Sequence, residues 1–221
     1  MESAASRAYA LAFQGERALG ARTLQRAVLG ALSPPARVVR ARGATVLAVL
    51  HLDPDAEPRA VTATLRRRVA ESVEDPGLSV GIGGPRDRER SLQLVALHAE
   101  QAVRLGRALN GHGQVTAFGD LGAYCFVLGR PAAEIRGFCQ AILGPLAEGA
   151  HRDELRTLEE FLRAHGSVNA VARALFLHRN TVRQRLKRIS ELTGADLGDA
   201  GARIQLYLAV LGQKALAELA S

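Results

Sequence analysis

Basic side chains are crowded into one stretch near the end of the chain. No aspartate or glutamate lies between Glu160 and Glu191. The basic residues of that stretch are Arg163, Arg173, Arg179, Arg183, Arg185, Lys187 and Arg188. Asparagine, threonine and glutamine stand among them, and their amide and hydroxyl groups can hydrogen-bond the edges of bases. Guanidinium and ammonium groups bind phosphate oxygens, so this composition indicates contact with a nucleic acid.

The apolar residues around these charges predict two short helices joined by a tight turn. Apolar residues repeat at helical spacing at Val168, Val171, Ala172 and Leu175, and again at Val182, Leu186 and Ile189. Ser167 is the expected N-cap of the first helix, which should end near residue 174. Phe176 and Leu177 should form the turn. Two helices at this spacing are typical of a helix-turn-helix.

The second helix, over about residues 179–192, is the expected recognition helix. Gly194 should cap its C-terminus, whereas either His178 or Asn180 could be its N-cap. We expect base or adjacent backbone contacts from Arg179, Asn180, Thr181, Arg183 and Gln184, phosphate contacts from Arg173, Arg185, Lys187 and Arg188, and a place for His178 in the DNA-reading turn. A solvated basic helix would carry the same charge. Helix spacing and the missing acids favour double-stranded DNA, and RNA is disfavoured because no aromatic stacking platform accompanies the charges.

The remainder of the chain predicts an α+β domain upstream of these helices. Strands are expected over residues 7–15, on both sides of Gly43, over 78–84, 114–118 and 123–129, with helices over 16–32, 58–73 and 87–109. This order mixes hairpins with helical crossovers. We therefore expect an α+β mixed-sheet domain over residues 5–130, a connecting helix and hinge over 131–152, and an all-α helix-turn-helix domain over 153–221.

These segments resemble the PucR/CdaR family of bacterial transcriptional regulators. The likeness to its C-terminal helix-turn-helix domain runs from "ILGPL" through "ELRTLEEFLRAHGS" and "HRNTVRQRLKRISELTGADL" to "ARIQLYLAVL". The core "HRNTVRQRL" also resembles the wider Fis-type helix-turn-helix. Upstream, "LSVGIGGP", "SLQLVALHAEQAVRLGRAL" and "VTAFGDLGAYCFVL" are similar to the degenerate GGDEF-like domain of the same family. The resemblance implies a regulator, and because members of the family commonly carry a further N-terminal sensory domain, we expect this chain to be either a short member or a fragment.

The alternative from another functional class is an enzyme, a nucleotide cyclase, because active GGDEF domains condense nucleoside triphosphates. That reaction needs clustered carboxylates that hold divalent metal. In the hairpin "RARGATVLAV", Ala44 and Thr45 stand where acids would be needed. "GIGGP" lacks the Lys-Ser/Thr of a phosphate loop. We therefore expect no catalytic residues, no metal site and no cofactor. The alternative kept open is a catalytically dead module that binds a nucleotide or another small-molecule effector, or that dimerises, with DNA binding secondary.

Composition and charge agree with a DNA-binding protein. The formal net charge is +7 and the sequence pI about 10.4, which favours an anionic partner. The apolar run at residues 44–52 is too short to cross a bilayer, and no secretory signal is evident, so we expect a cytoplasmic protein without a membrane partner. Each chain has a single recognition helix. We therefore expect a homodimer on two half-sites.

Overall fold

The computed structural model describes residues 6–32, 37–87 and 90–220. The chain divides between Cys125 and Phe126 into two compact units. The first unit contains a sheet and three α-helices, and the second is helical. The predicted α+β class is therefore confirmed, although the predicted domain start at residue 5 lies outside the described residues.

The first unit is built on a five-stranded mixed sheet in the order β2-β3-β1-β4-β5. The strands are β1 (Arg7–Gln14), β2 (Arg37–Arg42), β3 (Thr45–Leu52), β4 (Ser79–Gly83) and β5 (Val115–Ala117). The β2-β3 pair, the β1-β3 pair and the β1-β4 pair are antiparallel, whereas β4 and β5 are parallel. Gly43 has φ 56° in the β2-β3 turn, a conformation that glycine adopts without steric cost.

The alternation of large and small residues along β1 places different helices on the two faces of the sheet. The helices are α1 (Ala21–Ala31), α2 (Pro58–Ser72) and α3 (Leu92–Asn110). Leu11 and Phe13 pack in one core with residues of α1 and α2, whereas Ala10 and Ala12 pack with residues of α3. Successive side chains of a strand point to opposite faces, so the alanines let α3 approach closely. On Gly81 of β4, an added Cβ would lie only 2.1 Å from the carbonyl oxygen of Ala99.

Two predicted helix starts and one predicted strand were wrong. The first helix begins at Ala21 rather than at residue 16, because the buried carboxylate of Asp75 accepts a hydrogen bond from the Glu16 amide at 2.9 Å and holds this segment in a bend. Helix α3 begins at Leu92, where Ser91 caps it. The strand expected over 123–129 is absent from the described residues, and a kinked 3-10 helix occupies Phe118–Phe126 instead.

In its described residues, the second unit contains five α-helices. They are α4 (Ala132–Leu143), α5 (Arg152–Arg163), α6 (Val168–Leu175), α7 (Arg179–Thr193) and α8 (Ala200–Ala220), with a 3-10 helix at Gly144–Glu148. The residues predicted to form a connecting helix and hinge are part of this unit, because α4 packs along α8. The Cys139 thiol of α4 donates to the Ala209 carbonyl of α8 at 3.3 Å. None of the helices in the described residues is long and apolar enough to cross a membrane.

Candidate nucleic-acid interface

Helix α6 and the turn after it have the predicted positions. The Ser167 hydroxyl accepts a hydrogen bond from the Ala170 amide at 3.3 Å, so Ser167 is the N-cap. At the other end, the Leu177 amide donates to the Ala172 carbonyl at 2.9 Å and closes the turn. Phe176 provides the left-handed residue of this turn, with φ 54°, and it is 95% exposed. A bulky residue rarely adopts this conformation. Because the left-handed backbone cannot continue a right-handed helix, α6 ends here and α7 starts in a new direction.

Helix α7 begins and ends at identifiable caps. His178 is the N-cap, because its Nδ1 atom accepts a hydrogen bond from the Asn180 amide at 3.3 Å. This settles the alternative between His178 and Asn180. At the C-terminus, Gly194 has φ 69° and its amide donates to the Ser190 carbonyl at 2.9 Å, which confirms the predicted cap. The first turn of α7 contains no acidic residue, so its positive helix end faces no neutralising side chain from that turn.

The buried side of α7 is the predicted apolar stripe. Val182, Leu186 and Ile189 are buried, and α7 contacts both α5 and α6. Leu158 and Phe161 on α5 and Val171 on α6 are buried as well. Burial of several large apolar side chains holds the helix on its neighbours, and the opposite side of α7 is left to the solvent.

The exposed side of α7 carries a stripe of cations and amides, which we call the outward stripe. Its members, all exposed, are Arg179, Asn180, Arg183, Gln184, Lys187 and Arg188. Arg183 Nη1 donates to Asn180 Oδ1 at 3.3 Å, which orders these two side chains side by side. Arg188 lies 3.6 Å from a carboxylate oxygen of Glu191, with both side chains about half exposed. Exposed pairs of this kind are weak, so the guanidinium of Arg188 stays available to a stronger anion.

Two α7 residues of the predicted set do not belong to the outward stripe. Arg185 is directed toward α5: its Nη2 atom donates to Asp153 Oδ2 at 2.6 Å and its Nη1 atom to Thr157 Oγ1 at 3.3 Å. The Arg185 side chain is 25% exposed. Thr181 is half-buried. The expectation that Arg185 contacts phosphate therefore lacks the outward direction that such a contact requires. Arg173 on α6 and His178 are exposed, as expected for residues that flank the stripe.

Within residues 6–32, 37–87 and 90–220, no three histidine, cysteine, aspartate or glutamate side chains are grouped so that they could hold a metal ion. Burial raises the pKa of the Cys125 thiol and of the Cys139 thiol, so both thiols are protonated at neutral pH and are poor nucleophiles. The first unit contains a cavity of about 370 Å³ between α1 and α2, with Arg26 and Arg68 in its lining.

The helices around this interface are similar in sequence to a known family of domains. Residues 155–211 match the family described as the PucR C-terminal helix-turn-helix domain. The chain is 51% identical over 55 residues to the carbohydrate diacid regulator of Escherichia coli, a match that covers 25% of this chain and 14% of that protein. It is 35% identical over 86 residues to the purine catabolism regulatory protein of Bacillus subtilis, which covers 38% of this chain and 16% of that protein.

A third relative and one solved structure complete the comparison. The proline-responsive transcriptional activator PutR of Bacillus subtilis is 38% identical over 74 residues, or 34% of this chain and 18% of that protein. The crystal structure of a regulator of polyketide synthase expression from Bifidobacterium adolescentis aligns with 95% of this chain and 85% of that chain, at 18% identity and a TM-score of 0.41. That score is too low to establish a shared fold. The chain spans less than a fifth of the length of these curated relatives.

Proposed function

We propose that this chain is a sequence-specific DNA-binding transcriptional regulator of the PucR/CdaR family, because residues 155–211 match the PucR C-terminal helix-turn-helix domain. Helix α7 enters the major groove with the outward stripe toward the bases. The observation that carries the proposal is this stripe, in which four exposed cations and two amides share one helix face and the first turn contains no acid.

The stripe divides into residues that select sequence and residues that hold the backbone. Arg179, Asn180, Arg183 and Gln184 lie in the first two turns of α7, the part of a recognition helix that reaches base edges. Lys187 and Arg188 follow one turn later and are assigned to phosphates, together with Arg173 on α6. Arginine binds guanine through two hydrogen bonds, and asparagine or glutamine binds adenine in the same manner. The half-buried Thr181 remains assigned to a base or the adjacent backbone, and His178 to the turn that reads the DNA.

The chain acts as a homodimer on a pseudo-palindrome. A single helix-turn-helix makes few base contacts, and two copies spaced by about 34 Å along the duplex are the common solution. Light scattering of the purified chain with a selected duplex measures the stoichiometry. Two chains per duplex is the expected result, and one chain that protects a single half-site would contradict the dimer.

Selection of binding sites from random duplex DNA tests the proposal directly. We expect enrichment of one motif made of two half-sites about 10 base pairs apart. The variant Arg183→Lys keeps the charge but loses the planar fork of the guanidinium. It should relax the preference at one base of each half-site while the salt dependence of binding stays unchanged. Recovery of random sequences by the wild-type chain would overturn the proposal.

The sheet domain is proposed as a module that binds an effector or dimerises, without catalysis. Its predicted likeness to a degenerate GGDEF-like domain stays a prediction. The cavity between α1 and α2 favours an anionic small molecule, because Arg26 and Arg68 line it. Thermal unfolding in the presence of small phosphate and carboxylate anions measures such binding, and Arg68→Gln should abolish any shift. Metal-dependent turnover of GTP by the purified chain would show instead that the module is an enzyme.

A further inference from the structure

Arg185 is the basic residue of α7 whose guanidinium binds side chains of the neighbouring helix α5. Its guanidinium binds Asp153 at 2.6 Å and Thr157 at 3.3 Å, both on α5. Thr157 is itself fully buried, and its hydroxyl donates to the Asp153 carbonyl at 2.7 Å. One guanidinium thus joins two residues of α5 that are also joined to each other. Charge-assisted hydrogen bonds with this fixed geometry are directional, unlike apolar packing.

Directional hydrogen bonds between Arg185 and α5 would resist rotation of α7 about its own axis. Val182, Leu186 and Ile189 are buried, and apolar burial is non-directional, so it does not by itself fix the rotation of the helix. Arg185 lies on one flank of these buried residues, so a rotation of α7 would stretch its bonds to α5. With side chains, a helix has a radius of roughly 6 Å, so a rotation of about 20° displaces the outward atoms by about 2 Å. Hydrogen bonds tolerate about 0.5 Å, so such a rotation would break base contacts on the opposite face.

We propose that Arg185 is a positioning residue: through Asp153 and Thr157 it sets the rotation of α7 and thereby aims the outward stripe at the bases. This inference rests on the proposed DNA-binding function. Arg185 contacts no phosphate. Asp153 is 70% exposed in its side chain, so it contributes little to the core, and its function is to hold the guanidinium.

Two acid-to-amide variants with the same change in charge test the proposal. Asp153→Asn and Glu191→Gln each remove one negative charge beside an arginine of α7, and each should therefore strengthen DNA binding if charge alone decided the affinity. If Arg185 positions α7, the two variants should give different results. Glu191→Gln frees Arg188 and strengthens binding to every duplex, whereas Asp153→Asn lowers the ratio of specific to non-specific affinity by about fivefold or more, because base contacts are lost. Tighter specific binding by Asp153→Asn would overturn the proposal.

Arg185→Met supplies the second measurement. If Arg185 bound phosphate, its removal from both protomers would make the salt slope of a dimer less steep by about 1.8. Positioning predicts an unchanged slope and a reduced specificity ratio, and the double variant with Asp153→Asn should bind no worse than Arg185→Met alone. Partial unfolding would lower the specific and non-specific affinities by the same factor, so an unmoved ratio overturns the proposal. A wild-type chain without any sequence preference would instead overturn the DNA-binding function itself.

Discussion

Replacement of Lys187 by glutamine should weaken binding to every DNA sequence alike. Lys187 is exposed on the outward stripe, and within the described residues no carboxylate lies close enough to form an ion pair with it. Each phosphate neutralised contributes about 0.9 to the slope of log affinity against log salt. If each protomer neutralises about four phosphates, the wild-type dimer has a slope near −7, and Lys187→Gln makes it less steep by about 1.8.

Fluorescence anisotropy over a salt series measures this slope. Between about 50 and 200 mM salt, a change in slope of about 1.8 means that the affinity advantage of the wild type shrinks roughly tenfold. The ratio of specific to non-specific affinity should stay the same, because a phosphate contact carries no sequence information. Arg67→Gln is the matched control: it removes one exposed positive charge from α2 in the first unit, and the slope should not change. An unchanged slope for Lys187→Gln, or a lost sequence preference, would refute the assignment.

Three further predictions concern the fold. Ile189→Ala should lower the free energy of unfolding by about 2–5 kcal/mol, because the side chain is fully buried. Urea unfolding measures this change, and a loss below about 1 kcal/mol would contradict the prediction. Ser167→Ala should lower the free energy of unfolding in urea by about 1 kcal/mol, since the Ala170 amide loses its cap; Ser167→Asn, which can still cap, should be near neutral in the same measurement. Burial, with a smaller contribution from Arg90, lowers the pKa of His98, so the unfolded chain binds the proton more readily and stability falls as the pH drops below about 6.5. His98→Gln should flatten that part of the profile, and parallel profiles would count against it.

The helix-turn-helix was readable because its signals are local. The apolar stripe of Val182, Leu186 and Ile189, the Ser167 cap and the Gly194 cap each depend on residues a few positions apart, and helix periodicity and capping act over that range. Charge was equally readable, since an acid-free stretch is visible without any coordinates. The predicted DNA contacts themselves stay predictions, but the exposure of most of those side chains follows from the periodicity alone.

Two segments have a different structure from the one their sequence predicts. The segment at 123–129 is an apolar run that predicts a buried strand, yet it lies partly in a 3-10 helix that is kinked at Gly122, where φ is 58°. Near the N-terminus, Asp75 holds the amide of Glu16, a residue 59 positions away, and so delays the start of α1. At Glu16, a contact outside the local window therefore outweighs the intrinsic preference of the segment.

Arg185 shows most clearly where local information ends. Its position on α7 follows from the helical repeat, which places it at the border of the buried stripe. Its partner Asp153 lies 32 positions earlier, on a different helix and beyond α6, and only the packing of α5 against α7 brings the two together. Charge and period are properties of neighbouring residues, so they can be read along the chain. Whether a cation points at solvent or at a carboxylate depends on which helices meet, and that is decided by the burial of apolar surface in three dimensions.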